Sequence, residues 1–158
     1  MTEWLIIDGY NLIYRISAGF GRNDLERLRG DLIRQLQPLV NVIARRITVV
    51  FDGARLPLPS APPESGPVEV IFSPSGKSAD SVIENLVWKS DRPESILVVT
   101  SDRMERDGAG ATGADTMASS VFIEIMREHA SRLRHEIGFI NKRGASTTIG
   151  DFFPPKQS

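Results

Sequence analysis

None of the 158 residues is a cysteine, which excludes disulfides, thiolate zinc sites and cysteine nucleophiles together. Long hydrophobic runs are also missing. No stretch approaches the roughly 20 apolar residues that span a bilayer, so no membrane partner is expected. The opening Met1-Thr2-Glu3-Trp4 lacks a basic segment and runs straight into a strand-like stretch, unlike a secretory signal. A cytoplasmic location is the simplest expectation. Nor is there an excess of one charge: 19 basic residues face 20 acidic ones, for a net charge of -1. The chain as a whole is therefore no electrostatic magnet for nucleic acid. Any RNA-binding surface must segregate positive charge around a negative centre.

What remains is an ordinary globular composition on a chain of single-domain length. Trp4-Leu5-Ile6-Ile7 reads as a strand buried on both faces, ending in Asp8-Gly9. From Asn23 to Ala44, Leu25, Leu28, Leu32, Ile33, Leu36, Val40 and Ile43 recur at helical spacing, with Asn23 or Asp24 as cap and a kink at Pro38. Ile47 to Phe51 is a second strand ending in Asp52-Gly53, and the proline-rich 54–67 segment is a loop. Val68 to Phe72 is a third strand, followed by the turn Ser73 to Lys77 and a helix starting at Ser78 or Asp80. Ile96 to Thr100 is a fourth, ending in Ser101-Asp102. A last helix runs from about Ala114 to about His135, after which Ile137 to Ile140 can add an edge strand. The Ser-, Thr-, Gly- and Pro-rich tail of 144–158 is expected to be mobile. Strands alternating with helices predict a three-layer α/β domain over residues 1–143, its central sheet mainly parallel and flanked by helices.

In such sheets, sites form at the carboxyl ends of the strands. Asp8, Asp52 and Asp102 each follow a strand, and Asp80 opens the helix after another. Connectivity alone brings these carboxylates to one rim. Crowded like charges are costly unless a cation neutralises them, and hard oxygen donors suit Mg²⁺ or Mn²⁺. The plainer readings stay open residue by residue. Asp52-Gly53 is equally compatible with turn chemistry, and Asp80 or Asp102 with helix capping. Asp8 is the strongest single case, because Asn11 follows it by three residues and can add an amide to the same rim.

These segments resemble the YacP-like group of NYN domains, relatives of the PIN-domain nucleases. The likeness runs through Ile-Asp-Gly-Tyr-Asn-Leu-Ile (7–13), Val-Val-Phe-Asp-Gly (49–53), residues 70–84, Val-Val-Thr-Ser-Asp (98–102) and the Gly/Ala-rich entry to the last helix. The resemblance implies a PIN-like fold and an Mg²⁺- or Mn²⁺-dependent endoribonuclease, acting on single-stranded RNA or ribosome-associated mRNA. It implies Asp8, Asp80 and Asp102 as catalytic and metal-holding residues. Asp52 supports them, and Asn11 and Ser101 orient ligands. Glu84, one helical turn after Asp80, is a further supporting carboxylate or a solvated helix residue. The expected chemistry is attack by a metal-activated water, leaving a 5′-phosphate.

Around this rim Lys77, Arg103 and Arg106, with Arg15 and Arg22 after the first motif, are candidates for phosphate contacts. Each is equally compatible with a solvated surface. Tyr10 is a candidate for stacking on a base or a packed aromatic beside the first strand. Gly108-Ala-Gly110-Ala-Thr-Gly113 matches the dinucleotide pattern G-x-G-x-x-G but lies after the fourth strand, out of place for NAD. It is expected to be a loop that meets RNA phosphate or a plain hinge. His129 and His135 lack partners at recognisable spacing and read as structural or exposed. Two other functions compete: an RNA- or ribosome-binding module without cleavage, and an aspartate-based α/β phosphatase. The second wants an aspartate at position 10, where Tyr10 stands.

Overall fold

The protein is described by a computed structural model covering residues 1–53 and 66–146. Most of the proline-rich segment and the tail from 147 lie outside the described residues, as does the side chain of Arg22. The chain divides into two compact units, Met1–Glu124 and Ile125–Ser158, and everything that follows on the site lies in the first.

That unit is built on five strands: β1 (Thr2–Asp8), β2 (Ala44–Phe51), β3 (Val68–Phe72), β4 (Ile96–Val99) and β5 (Asp115–Met117). They pair in the order β3-β2-β1-β4-β5, every pair parallel. Helices α1 (Gly9–Ile16), α2 (Leu25–Leu36), α3 (Ala79–Trp88), α4 (Arg103–Ala111) and α5 (Ser119–Ser146) complete the chain. The expected three-layer α/β fold is what forms. Leu5, Ile6 and Ile7 are buried to within 1% because helices cover both faces of the central strand. On one face Ile6, Val50 and Val98 pack with Ile83 and Val87 of α3 and Ala109 of α4. Strand alternation turns Ile7 and Val49 to the other face, where α1 and α2 pack.

Several local expectations change. The helix through Pro38 stops at Leu36 and tightens into a 3₁₀ turn, Gln37–Leu39, since proline cannot continue an α-helix without losing a bond and clashing. A helix, α1, starts at Gly9 with no connecting loop, and a Cβ at Gly9 would overlap the Phe51 ring. Residues 103–111 form α4 rather than a loop around the glycines, and a three-residue strand, β5, precedes α5. Ile137 to Ile140 belong to α5 and add no edge strand. Ile137 follows Leu133 by four residues and precedes Ile140 by three, a spacing that fits a helix stripe as well as a strand.

Candidate metal centre

β1 ends at Asp8, and its carboxylate caps α1, accepting from the Asn11 backbone N–H at 3.3 Å. Asp102 stands in the same relation to α4, accepting from the N–H groups of Met104 and Glu105 at 2.9 and 3.2 Å. The strand-to-helix turn that needs an acceptor thus places both caps at the carboxyl edge of the sheet. Asp80 is free of that duty, because Ser78 caps α3, accepting from the Ser81 N–H at 3.2 Å.

The structure brings Asp8 and Asp80 together with a third acid that sequence reasoning missed, Glu105. One carboxylate oxygen from each lies within 4.8 Å of the others. Glu105 is 1% exposed. Its Oε2 accepts from the buried Thr100 hydroxyl at 3.0 Å, and that hydroxyl accepts in turn from the Asp102 N–H at 3.1 Å. Its Oε1 is buried and receives no N–H or hydroxyl donor; the carboxyls of Asp8 and Asp80 are the side chain's hydrogen-bonding neighbours there. Burial, then the charge of Asp8, pushes the Glu105 carboxyl up to about 10. Asp8 is raised as well, first by burial and further by the charges of Asp80 and Asp102, while the hydrogen bond with Glu105 pulls it back. Asp102 therefore sits within electrostatic reach of the trio without joining its oxygen cluster.

Glu105 left one signal in the sequence. It stands three residues after the helix-capping Asp102 and four before Ala109, and these two are the buried face of α4. An acid on a buried helix stripe needs a reason.

The Asn11 side chain joins three elements beside the rim. Its Oδ1 accepts from the Ser101 backbone N–H at 2.8 Å and from the Ser119 hydroxyl at 2.7 Å. Ser101 contributes here through its backbone. Asp52 lies just past β2, where the Gly53 N–H donates to Ser73 Oγ at 2.9 Å, and is not among the clustered oxygens. Glu84 is exposed and lies toward Gly108 of α4, one turn along from the cluster. Lys77, Arg103, Arg106 and Arg15 are exposed. Tyr10 corrects the stacking expectation. It is 4% exposed, its ring tilts onto Phe51 at 5.0 Å and its hydroxyl accepts from Arg29 at 2.8 Å, so no ring face is open to a base.

The trio fits a divalent cation. Three hard oxygen donors converge, one of them a buried oxygen that no N–H or hydroxyl donor meets, and among the described residues no ion pair neutralises any of the three. A cation there would supply what the protein lacks and displace the Glu105 proton.

Comparison with known proteins bears on the fold and the family. The chain is 28% identical over 142 residues to the uncharacterized protein YacP of Bacillus subtilis strain 168, covering 88% of this chain and 77% of that one. It superposes on the crystal structure of Rae1 (YacP) from Bacillus subtilis with a TM-score of 0.72 at 23% identity, covering 94% of this chain and 87% of that chain. A tryptophan-to-leucine variant of Rae1 gives 0.69 at 24% identity, covering 89% and 84%. These structural likenesses show the fold. The model of the YacP-like NYN domain matches residues 5–153, and the chain belongs to that family, which points to a nuclease-type, RNA-related function.

Proposed function

We propose that this protein is an Mg²⁺- or Mn²⁺-dependent endoribonuclease of the cytoplasm that cuts single-stranded RNA, including mRNA on the ribosome. The observation that carries the cleavage chemistry is the convergence of Asp8, Asp80 and Glu105 oxygens within 4.8 Å at the carboxyl edge of the sheet. Family membership supports the RNA substrate; the ribosomal setting rests on the family resemblance alone. A divalent cation, when bound, supplies charge neutralisation at the scissile phosphate and a water of lowered pKa.

The chain's own residues do the rest. Asp8, Asp80 and Glu105 would hold the cation, with Glu105 giving up its proton on binding. Asp102 adds negative charge to the rim from the cap of α4. Thr100 fixes one Glu105 oxygen, leaving the other directed at the cluster. Asn11 locks the ends of β1 and β4 in register with the start of α5, so the carboxylates meet in one geometry. Lys77, Arg103 and Arg106 flank the rim and receive the RNA backbone.

The test is cleavage of unstructured RNA with and without Mn²⁺, comparing the native chain with Asp80→Asn. Metal-dependent cutting that leaves 5′-phosphates and is abolished by the substitution is the expected result. A 2′,3′-cyclic phosphate product, or full activity in EDTA, overturns the proposal.

A further inference from the structure

From the cluster, α3 and α4 run side by side and leave a groove of about 390 Å³ between them, lined by Ser81, Glu84, Asn85, Trp88, Gly108 and Thr112. That volume is at the small end of ligand-sized pockets. The groove starts one helical turn beyond the metal-holding acids: Glu84 follows Asp80 by four residues, and Gly108 follows Glu105 by three. Trp88 closes its far end, about 12 Å along α3 from Asp80 at the helical rise per residue, and is 76% exposed.

Two features of this groove are expensive for a merely structural surface. A large apolar ring stands in solvent, where burial elsewhere in the fold would stabilise it. A glycine occupies the middle of α4, where it costs roughly 1 kcal/mol against alanine. A Cβ at Gly108 would lie 2.5 Å from Glu84 Oε1, so the glycine lets that exposed carboxylate lie against α4, and a side chain there would push its flexible end aside. The lining carries one carboxylate and no lysine or arginine. It repels phosphate. A flat, uncharged ring with hydrogen-bond donors at its edge fits instead: Trp88 offers a stacking face, Glu84 accepts from an amino group, and the Asn85 amide can serve a neighbouring ring nitrogen.

We infer that the α3–α4 groove binds a nucleobase of the RNA substrate beside the scissile phosphate, and prefers bases that carry an exocyclic amino group over uracil. The inference rests on the proposed RNA substrate. It gives the Gly/Ala-rich segment 108–113 a role distinct from phosphate binding: its first glycine shapes the wall of a base pocket.

The test reads binding without cleavage. Trp4 and Trp88 are the only tryptophans, so in Trp4→Phe protein all indole emission reports on Trp88. This protein is titrated in EDTA with pentacytidylate and pentauridylate, pyrimidines of one ring size that differ at the amino group. Pentacytidylate is expected to quench Trp88 and to bind roughly tenfold tighter than pentauridylate, the discrimination one specific base contact supplies. Glu84→Gln should bring the two within about twofold, and Trp88→Ala should weaken labelled pentacytidylate, followed by anisotropy, roughly tenfold. Trp88 emission unmoved by either oligomer overturns the inference. So does an equal response to both that Glu84→Gln leaves unchanged. Because no cation or cutting enters the measurement, that failure leaves the nuclease proposal standing, and inactivity in the cleavage assay leaves this result readable.

Discussion

The two ends of the central sheet treat their acids in opposite ways. At the amino ends of the strands Glu3 meets Arg45 at 3.1 Å, and Glu69 takes both Arg46 and the Thr48 hydroxyl. Arg46 also lies over the Trp4 ring at 3.9 Å, and Trp4 donates to Thr48 at 2.8 Å. There every named acid has a base beside it, in contact with solvent. At the carboxyl ends Asp8, Asp80 and Glu105 converge with no ion-paired base among the described residues, and Glu105 is 1% exposed. The Arg46 guanidinium, as nearest partner, holds the Glu69 carboxyl below its ordinary range, whereas burial drives Glu105 far above it. One sheet thus carries an end whose acids are paired with bases and an end whose acids crowd one another, and the proposed cation site rests on the second.

The largest effect expected from breaking this contrast is on cleavage. Asp8→Asn or Asp80→Asn should lower the RNA cleavage rate by on the order of a hundredfold or more, above the loss typical for residues one shell out from a metal. The same substitutions should leave the cation-free thermal midpoint unchanged or higher, since they relieve repulsion. A midpoint that falls steeply would mean the acids serve the fold.

Next comes the proton on Glu105. Its folded carboxyl titrates at about 10 against an ordinary 4.5, so the folded state binds more protons between those values. Cation-free protein should therefore lose stability as pH rises through that window. Mn²⁺ competes with the same proton, so its stabilising effect should grow between about pH 6 and about pH 8, as metal binding to protonatable ligands does. Thermal melts with and without Mn²⁺ check both slopes, and Glu105→Gln should flatten both.

Asn11→Ala removes the acceptor for Ser101 N–H and Ser119 Oγ and should cost about 1–3 kcal/mol, the range for leaving buried donors unmet. Urea titration measures it. The smallest effect belongs to the paired end. Arg46→Ala or Glu69→Gln should change stability by less than about 1 kcal/mol, because both side chains are about half exposed and solvent screens them, and should leave cleavage untouched. What the pair contributes is present above the ordinary carboxylate range and fades as pH falls through the lowered value of Glu69. A loss of activity there would dissolve the contrast between the two ends.

Much of this arrangement was legible in the chain itself. Asp8 and Asp102 stand where apolar strand runs stop, and the rule that parallel sheets build sites at those ends needs only the runs to be visible. β3 matched its expected bounds, Val68–Phe72, because turn residues fence it on both sides. Glu105 was hidden by its own helix. Gly108 and Gly110 weaken the helical signal of residues 103–111, and without α4 there is no buried stripe for Glu105 to occupy. β5 has three residues, too few for any periodicity. Tyr10 was ambiguous because the fate of an aromatic after a strand depends on what lies opposite. Here Phe51 and Arg29 arrive from distant parts of the chain.

The bonds that Asn11 accepts span 90 and 108 residues, and the strand that carries Asp8 is the first in sequence yet the middle one in space. Contacts of such separation form late and slowly. A ribosome making this chain would release Asp8 long before Glu105, with β1 waiting for β4 to arrive on its second edge. The acidic rim cannot exist on a partial chain, so the proposed RNA-cutting centre is assembled only once nearly the whole domain has left the machinery that reads RNA.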